Sequence, residues 1–346
     1  MNLHAASTLQ PYLTGPSLDR DDRLDFQRFE RCALLFPALE GRRQEGELKT
    51  MFWNFRLAEQ LCLAEPMDYF KYEFYRRDCR EWRQFLTRRQ FAQLSWRWNR
   101  PEDRAVFADK ARFLRRFQQC LGRDTLAAVP ENQGAFTLLC RKHKKLMVKP
   151  RSGGYGLGIQ IVDTGNPKAL WALALEGRCV LEEVVEQHGL MAVAHSRSVN
   201  TVRLAVATTP EGTPVILGAV FRCGRGRAIT DNDQGLFCQV DPDRGAVCSQ
   251  GMDHFGQRYA CHPDTGFRFQ GFQVPCWDRL YGAVCHVMAQ LPQLRLITLD
   301  WALRCDGRWV LIEGNTDGGL GPCQEASGQG LAPQVQAVLG GNLEEG

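Results

Sequence analysis

Leu296–Asn315, LITLDWALRCDGRWVLIEGN, decides how this chain reads. Two β-like runs rich in Ile, Val, Leu and Trp meet around Asp306-Gly307, and an Asp-Gly pair there predicts a two-residue type I′ hairpin loop, because both central positions need φ > 0. Counting back from that loop puts Asp300 opposite Glu313, and the strand period of two puts Asn315 on the same face as Glu313. The other face reads Ile297, Leu299, Trp301, Leu303, Val310 and Ile312 and is expected to be core. Two carboxylates directly across a ladder repel, with Cβ atoms ~5 Å apart, so a purely structural sheet gains nothing from the pairing. A cation between them reverses the sign. Asp, Glu and an Asn amide oxygen are hard ligands suited to Mg²⁺, which keeps several waters and also binds nucleotide phosphates. The alternative is a solvated hairpin face that carries two acids by chance.

Composition sets the frame. At 346 residues, 44% hydrophobic and 24% charged, the chain is long enough for one large domain or two modest ones and has the make-up of a soluble globular protein. A net charge of +4 permits an anionic or phosphorylated substrate without pointing to nucleic acid. The fourteen cysteines include no C-x-x-C pair, and a chain this size needs no disulfide staples, so they read as reduced thiols of a cytoplasmic protein. The opening MNLHAASTLQPYLTG lacks the charged-then-apolar run of a signal peptide, and no apolar stretch is long enough to span a membrane.

Outward from the hairpin, residues 1–20 form a polar lead-in broken by Pro11, Gly15 and Pro16. Residues 21–125 are helical in pattern and dense in Arg and aromatics. Arg interleaved with rings is one way to bind nucleic acid. The spacing of Phe70, Phe74, Trp82, Phe85 and Leu86 fits better a buried helix face with Arg76, Arg77, Arg80 and Arg83 left in water, and no nucleic-acid partner is expected. A further helix, AVFADKARFLRRFQQCLG, is predicted to end at a Gly122 cap. Then KKLMVKP, RSGGYGLG and IQIVD run strand, loop, strand, which sets them apart from a glycine loop that opens a helix. Ser152, Gly153, Gly154, Tyr155, Gly156 and Gly158 would let backbone N–H groups approach phosphate oxygens, with Lys149 as a fixed charge at the root. A flexible hairpin with no ligand reads the same way.

Asn166–Gly177 is a predicted short helix started by Pro167, and CVLEEVVEQH is a strand that runs into acids. Such a segment suits an adenine hinge: Glu182, Glu183, Val184 and Glu186 would offer backbone groups to the base and a carboxylate to a ribose hydroxyl, or else the strand simply ends in solvent. SVNTVRLAVATTPEGTPVILGAVFRC gives two strands with a turn at Pro210–Pro214. Asn200, Val202 and Leu204 share one face of the first, and Thr201, Arg203 and Ala205 the other. An Arg in an apolar strand wants a partner, either a phosphate or a structural acid. Arg222 falls on the second strand. A helix is expected from about Trp277 to Leu291, and His262 is read as ordering its loop.

Taken together, Lys149 with its glycine flap, the EE hinge, N-T-x-R, D-W and E-x-N resemble an ATP-grasp enzyme. More closely, SVNTVRLA, AVFRCGRG, ITDNDQG, HPDTGFRFQG, VPCW, LDWAL and LIEGN resemble the sugar-transfer-associated ATP-grasp family, related to α-L-glutamate ligases, over about Asp68 to Gly321. The chain differs at Gly235-Leu236, where that family tends to pair glycines. It also lacks the Arg two places before the metal-binding Asp and the Pro-Gly after E-x-N-T that dipeptide ligases carry.

The resemblance implies an α+β ATP-grasp fold, two lobes with antiparallel sheets clasping ATP, behind a mainly helical N-terminal region. The flap lobe would span about 126–185 and the metal and substrate lobe about 186–325, with residues 326–346 as a tail. It implies an ATP- and Mg²⁺-dependent ligase, with two Mg²⁺, that activates a small-molecule or peptide carboxylate as an acyl-phosphate for an amine nucleophile, in polysaccharide or related biosynthesis. Asp300, Glu313 and Asn315 would hold metal, Lys149 and the flap the α and β phosphates, Arg203 the transferring group and Arg222 the substrate carboxylate. Two other classes remain open: an ATP-grasp kinase that phosphorylates a hydroxyl, and a silent nucleotide-binding scaffold.

Overall fold

The alternation along the strands becomes two antiparallel sheets in the computed structural model, which describes residues 20–154, 156–226, 229–230 and 235–340. Residues 1–19 of the polar lead-in, Tyr155 and the Asp231–Gln234 part of ITDNDQG lie outside the described residues. The small sheet holds β1 (Thr125–Ala127), β2 (Lys145–Pro150), β3 (Gln160–Asp163) and β4 (Cys179–Glu183) in the order β1-β4-β2-β3. The large sheet holds β5 (Thr201–Thr208), β6 (Pro214–Cys223), β7 (Leu236–Val240), β8 (Gly251–Met252), β9 (Arg258–Tyr259), β10 (Leu296–Leu303) and β11 (Trp309–Asn315), in the order β11-β10-β5-β6-β7-β8-β9.

Period two sorts the small sheet cleanly. Leu146 and Val148 of β2 and Cys179 and Leu181 of β4 pack on Phe136, Leu170 and Trp171, while Met147, Lys149 and Glu182 face the other way. The helix Pro167–Glu176 covers the packed face, capped by Asn166, whose Oδ1 accepts from Ala169 N at 3.2 Å. In the large sheet Val202 and Leu204 of β5, Phe221 of β6 and Leu299 and Trp301 of β10 build the largest core. Arg203, Arg222 and Asp300 take the opposite face.

The hairpin departs from its expected loop. Arg304 and Arg308 close a three-residue loop, and of its residues only Gly307 has positive φ, at 78°. This is the type I turn plus left-handed glycine that also closes hairpins, and it shifts the pairing so that Trp301 faces Leu311 and Leu303 faces Trp309. A bulge between Asp300 and Trp301 then adds one residue to β11, and beyond it Asp300 pairs with Glu313 as expected. The core face of β11 is therefore Trp309 and Leu311; Val310 packs with Ala302 and Val185 on the other side, and Ile312 is the extra residue.

The N-terminal region is helical, with a core of Phe29, Phe52, Tyr69, Phe70, Phe74 and Trp82. The expected single face of Phe70, Phe74 and Trp82 is instead divided over the short pieces Pro66–Lys71, Phe74–Arg76 and Cys79–Trp82. Arg77 is half-buried: it donates from Nη2 to Gly328 O at 3.0 Å, while Arg76, Arg80 and Arg83 are exposed. The expected helix ending at Gly122 breaks at Asp109 into Pro101–Ala108 and Lys110–Arg116, with Asp109 Oδ1 accepting from Ala111 N at 2.8 Å. Within the expected 326–346 tail, Ala332–Leu339 is a helix. Gly321–Ser327 and Ala332–Leu339 are helices whose Cys323, Leu331 and Val335 pack under β5 and β6, and Gln324 ties them to Leu86 by two 2.9 Å hydrogen bonds. No described helix is long and apolar enough to cross a membrane, and all fourteen cysteines are free thiols.

Candidate functional site

Between the sheets lies a cleft of about 690 Å³, a size that suits a nucleotide-sized ligand. Its floor is the polar face of the large sheet. Asp300 on β10 is buried beside Arg203, its partner on β5, which clamps it with Nε on Oδ1 at 2.7 Å and Nη2 on Oδ2 at 2.6 Å. Arg222, from the next strand, reaches Oδ2 at 3.4 Å. Burial pushes the Asp300 carboxyl up, but the two guanidiniums outweigh it and hold it below the ordinary aspartate value. Opposite, the Glu313 carboxyl is raised, first by burial and then by the charge of Asp300. Two acids across a ladder, with Asn315 on the same face, form a set of hard oxygen donors that fits Mg²⁺.

The roof is the small sheet. Lys149 on β2 donates to Glu182 Oε2 at 2.9 Å, and the same oxygen accepts from Arg123 Nε at 2.9 Å. Burial raises Glu182, yet Arg123 and Lys149 bring it down to about 2. Gly153 and Gly154 of the flap reach the cleft, and Lys110 Nζ donates to Gly153 O at 2.7 Å. Arg151 is tied to Asp109 at 2.7 Å, so the flap root is latched to the start of the helix Lys110–Arg116. Met147, Val185, Val199 and Ile312 supply an apolar stretch of wall that can take a flat base.

Ten of the residues singled out in the sequence meet in this cleft: Lys149, Gly153, Gly154, Glu182, Glu183, Arg203, Arg222, Asp300, Glu313 and Asn315. Among the described residues, Ser152, Gly156, Val184 and Glu186 do not line it, and Val185 does. Glu183 is occupied by Arg304 at 3.0 Å and by Asp124 N at 3.0 Å, and the backbone carbonyl of Glu186 accepts from Cys305 N. His262 orders its loop, with Nε2 against Gly224 O at 2.8 Å and Nδ1 accepting from Asp264 N at 3.2 Å. It stacks on His195 with ring centroids 5.7 Å apart.

Sequence reading missed two cations and a lysine–carboxylate ion pair. Lys110 reaches the cleft because Asp109 restarts the helix, and an Asp in the middle of helical text was the available signal. Arg123 had none, since Glu182 lies 59 residues away. Lys71, from the helical region, pairs with buried Glu325 at 3.3 Å, and both line the far end of the cleft. The N-terminal helices therefore form part of the site wall.

Residues 168–339 match the family described as sugar-transfer associated ATP-grasp; the matched segment includes β4 to β11 and leaves out Lys149 and the flap. A comparison with curated proteins finds no sequence match. Among solved structures, the ATP-grasp ligase PsnB in complex with a minimal precursor is 15% identical, with a TM-score of 0.42, over 70% of this chain and 62% of that one. The D-alanine-D-alanine ligase from Coxiella burnetii is 12% identical, TM-score 0.41, over 68% and 57%. Biotin carboxylase from Campylobacter jejuni is 14% identical, TM-score 0.45, over 68% and 46%. The chain thus covers less than two thirds of each.

Proposed function

We propose, for a chain whose residues 168–339 belong to the sugar-transfer associated ATP-grasp family, an ATP- and Mg²⁺-dependent ligase that joins a carboxylate to an amine through an acyl-phosphate. The observation that carries this reading is the polar floor: Asp300 and Glu313 face each other across the ladder with Asn315 beside them and Arg203 and Arg222 next to them.

In this mechanism the adenine ring lies along Met147, Val185 and Ile312, and the ribose lies towards the β4 end. Lys149 leaves Glu182 to hold the α and β phosphates, and Lys110 with the flap glycines closes over them. Asp300, Glu313 and Asn315 would hold Mg²⁺, two ions in this reading, which when bound would neutralise phosphate charge. Arg203 steadies the γ-phosphoryl group as its bond to the β-phosphate oxygen breaks and a bond to the substrate carboxylate oxygen forms. Most of the rate gain is positioning and charge neutralisation. Arg222 orients that carboxylate. The amine then attacks the acyl carbon, inorganic phosphate leaves, and the proton lost from nitrogen passes to Glu325, the buried carboxylate that faces the cleft beside Lys71. The fourteen free thiols suit a reducing compartment, which agrees with a cytoplasmic enzyme. The family description supports a place in polysaccharide or related biosynthesis.

The test is ADP release with Mg-ATP over a panel of sugar acids, amino acids and short peptides, each run with hydroxylamine. A hydroxamate from one carboxylate supports the ligase and names half of its substrate pair. ADP without hydroxamate favours phosphorylation of a hydroxyl, and failure to bind Mg-ATP at all overturns the reading.

A further inference from the structure

Glu313 and Asn315 reach the cleft only because β11 carries one residue too many. Trp309 and Leu311 point into the core, so an unbroken period of two would send 313 and 315 there as well. The bulge at Ile312 turns them to the opposite face. A bulge leaves backbone carbonyls out of the ladder, and here both are met by one side chain. Arg123 donates from Nη1 to Leu311 O and from Nη2 to Ile312 O at 3.4 Å. Its guanidinium is fully buried and is aimed by Glu182, whose Oε2 accepts from Nε at 2.9 Å and lies 2.7 Å from Nη2. Glu182 belongs to the small sheet and β11 to the large one, so a single planar fork joins the roof of the cleft to the strand that forms its floor.

We infer that Arg123 is a positioning residue for the metal site: it fixes the Ile312 bulge and thereby sets Glu313 and Asn315 at the spacing a divalent cation needs. The inference rests on the metal assignment of the proposed function. It also gives Glu182 a second use. When a nucleotide draws Lys149 away, Arg123 remains as the counter-charge of Glu182, and β11 stays anchored to the small sheet while phosphate binds. A role limited to neutralising Glu182 would need only a positive charge. Lysine supplies that charge without the fork that spans two carbonyls.

The experiment is a titration of Mn²⁺, followed by electron paramagnetic resonance, into the full chain saturated with a non-hydrolysable ATP analogue. Wild type is compared with R123K, R123Q and E313Q, with analogue affinity in EDTA and thermal melting measured for each. R123K and R123Q are expected to weaken Mn²⁺ binding ~10–100-fold, as loss of a group that orients metal ligands does, while analogue affinity in EDTA stays within about threefold. Wild-type Mn²⁺ affinity in R123K overturns the inference. So does an equal loss of analogue affinity in EDTA, which would place Arg123 on the nucleotide side alone, and so does failure of both variants to fold, which would make it structural. Wild-type Mn²⁺ affinity in E313Q defeats the metal assignment itself, as does absence of analogue or Mn²⁺ binding by the wild type.

Discussion

Each sheet presents to the cleft a buried acid gripped by two cations, Glu182 by Lys149 and Arg123 on the small sheet and Asp300 by Arg203 and Arg222 on the large one. Both carboxyls are held below their usual range. The difference is what stands next to them. On the small-sheet side one of the two cations is a rotatable ammonium that can be drawn elsewhere. The large sheet adds a second acid, Glu313, across the ladder, and its carboxyl moves the other way. On the proposed reading, anionic phosphate goes to the face with the movable ammonium, and the metal goes to the face where a second acid stands across the ladder.

The strongest way to break this contrast is to remove the second acid. Glu313→Ala is expected to abolish ADP formation while leaving the melting temperature within a few degrees of wild type, and EDTA should do the same to the wild type, reversibly with Mg²⁺. Turnover at the wild-type rate in that variant would sink the assignment of the large-sheet face to metal. Next in size is Arg203→Ala, which removes one preorganised charge from the transferring group and should lower kcat about 10²-fold or more. The same change takes a cation from Asp300, so the carboxyl titrates higher. The acid limb of the pH profile should then move to higher pH, and an unmoved limb in an otherwise slow variant would separate Arg203 from Asp300.

Acid titration sharpens the contrast without touching turnover. Glu182 is lowered from 4.5 to about 2, so its pairing adds stability that is fully present above about pH 4.5 and is lost as pH falls towards 2. Denaturant melts of wild type and Glu182→Gln should differ by a constant amount near neutrality and converge over that acid window. Glu313 is raised, and it must lose its proton to bind a cation. Mn²⁺ affinity should therefore fall, on acidification, at a pH above that of an ordinary glutamate. Persistence of full affinity down to the ordinary range would place the metal elsewhere.

Local patterning made much of this legible. Strand alternation sorted Val202 and Leu204 from Arg203, and the composition of the two runs around Asp306-Gly307 marked the hairpin and its acid pair. The extra residue in β11 was not legible, because IEGN reads the same with or without a bulge. The Asp300–Glu313 pairing was still anticipated, because a three-residue loop and a one-residue bulge displace the register in opposite directions and cancel. The polar grips were closed for another reason. Arg123 meets Glu182 and Leu311 across 59 and 188 residues, and no spacing rule reaches that far. The helix Ala332–Leu339 was not legible in the expected tail, because glycines and polar residues around it mask the short apolar set of Leu331, Val335 and Leu339.

That cancellation carries the smallest prediction. Gly307 sits at φ 78°, a left-handed conformation that an L side chain adopts at a cost of about 1 kcal/mol or slightly more, so Gly307→Ala should lower stability by about that amount. If the turn set the position of the acids, the strain would also reach Asp300 and Glu313 and slow turnover. The bulge lies between the loop and the acids, and Arg123 holds its carbonyls from the other sheet. The cleft end of the hairpin is therefore anchored independently of its loop. Denaturation of Gly307→Ala should show the loss in stability while Mn²⁺ affinity and the rate of ADP release match wild type. A fall in Mn²⁺ affinity that tracks the loss of stability would show that the loop, rather than the bulge and its arginine, sets the metal strand.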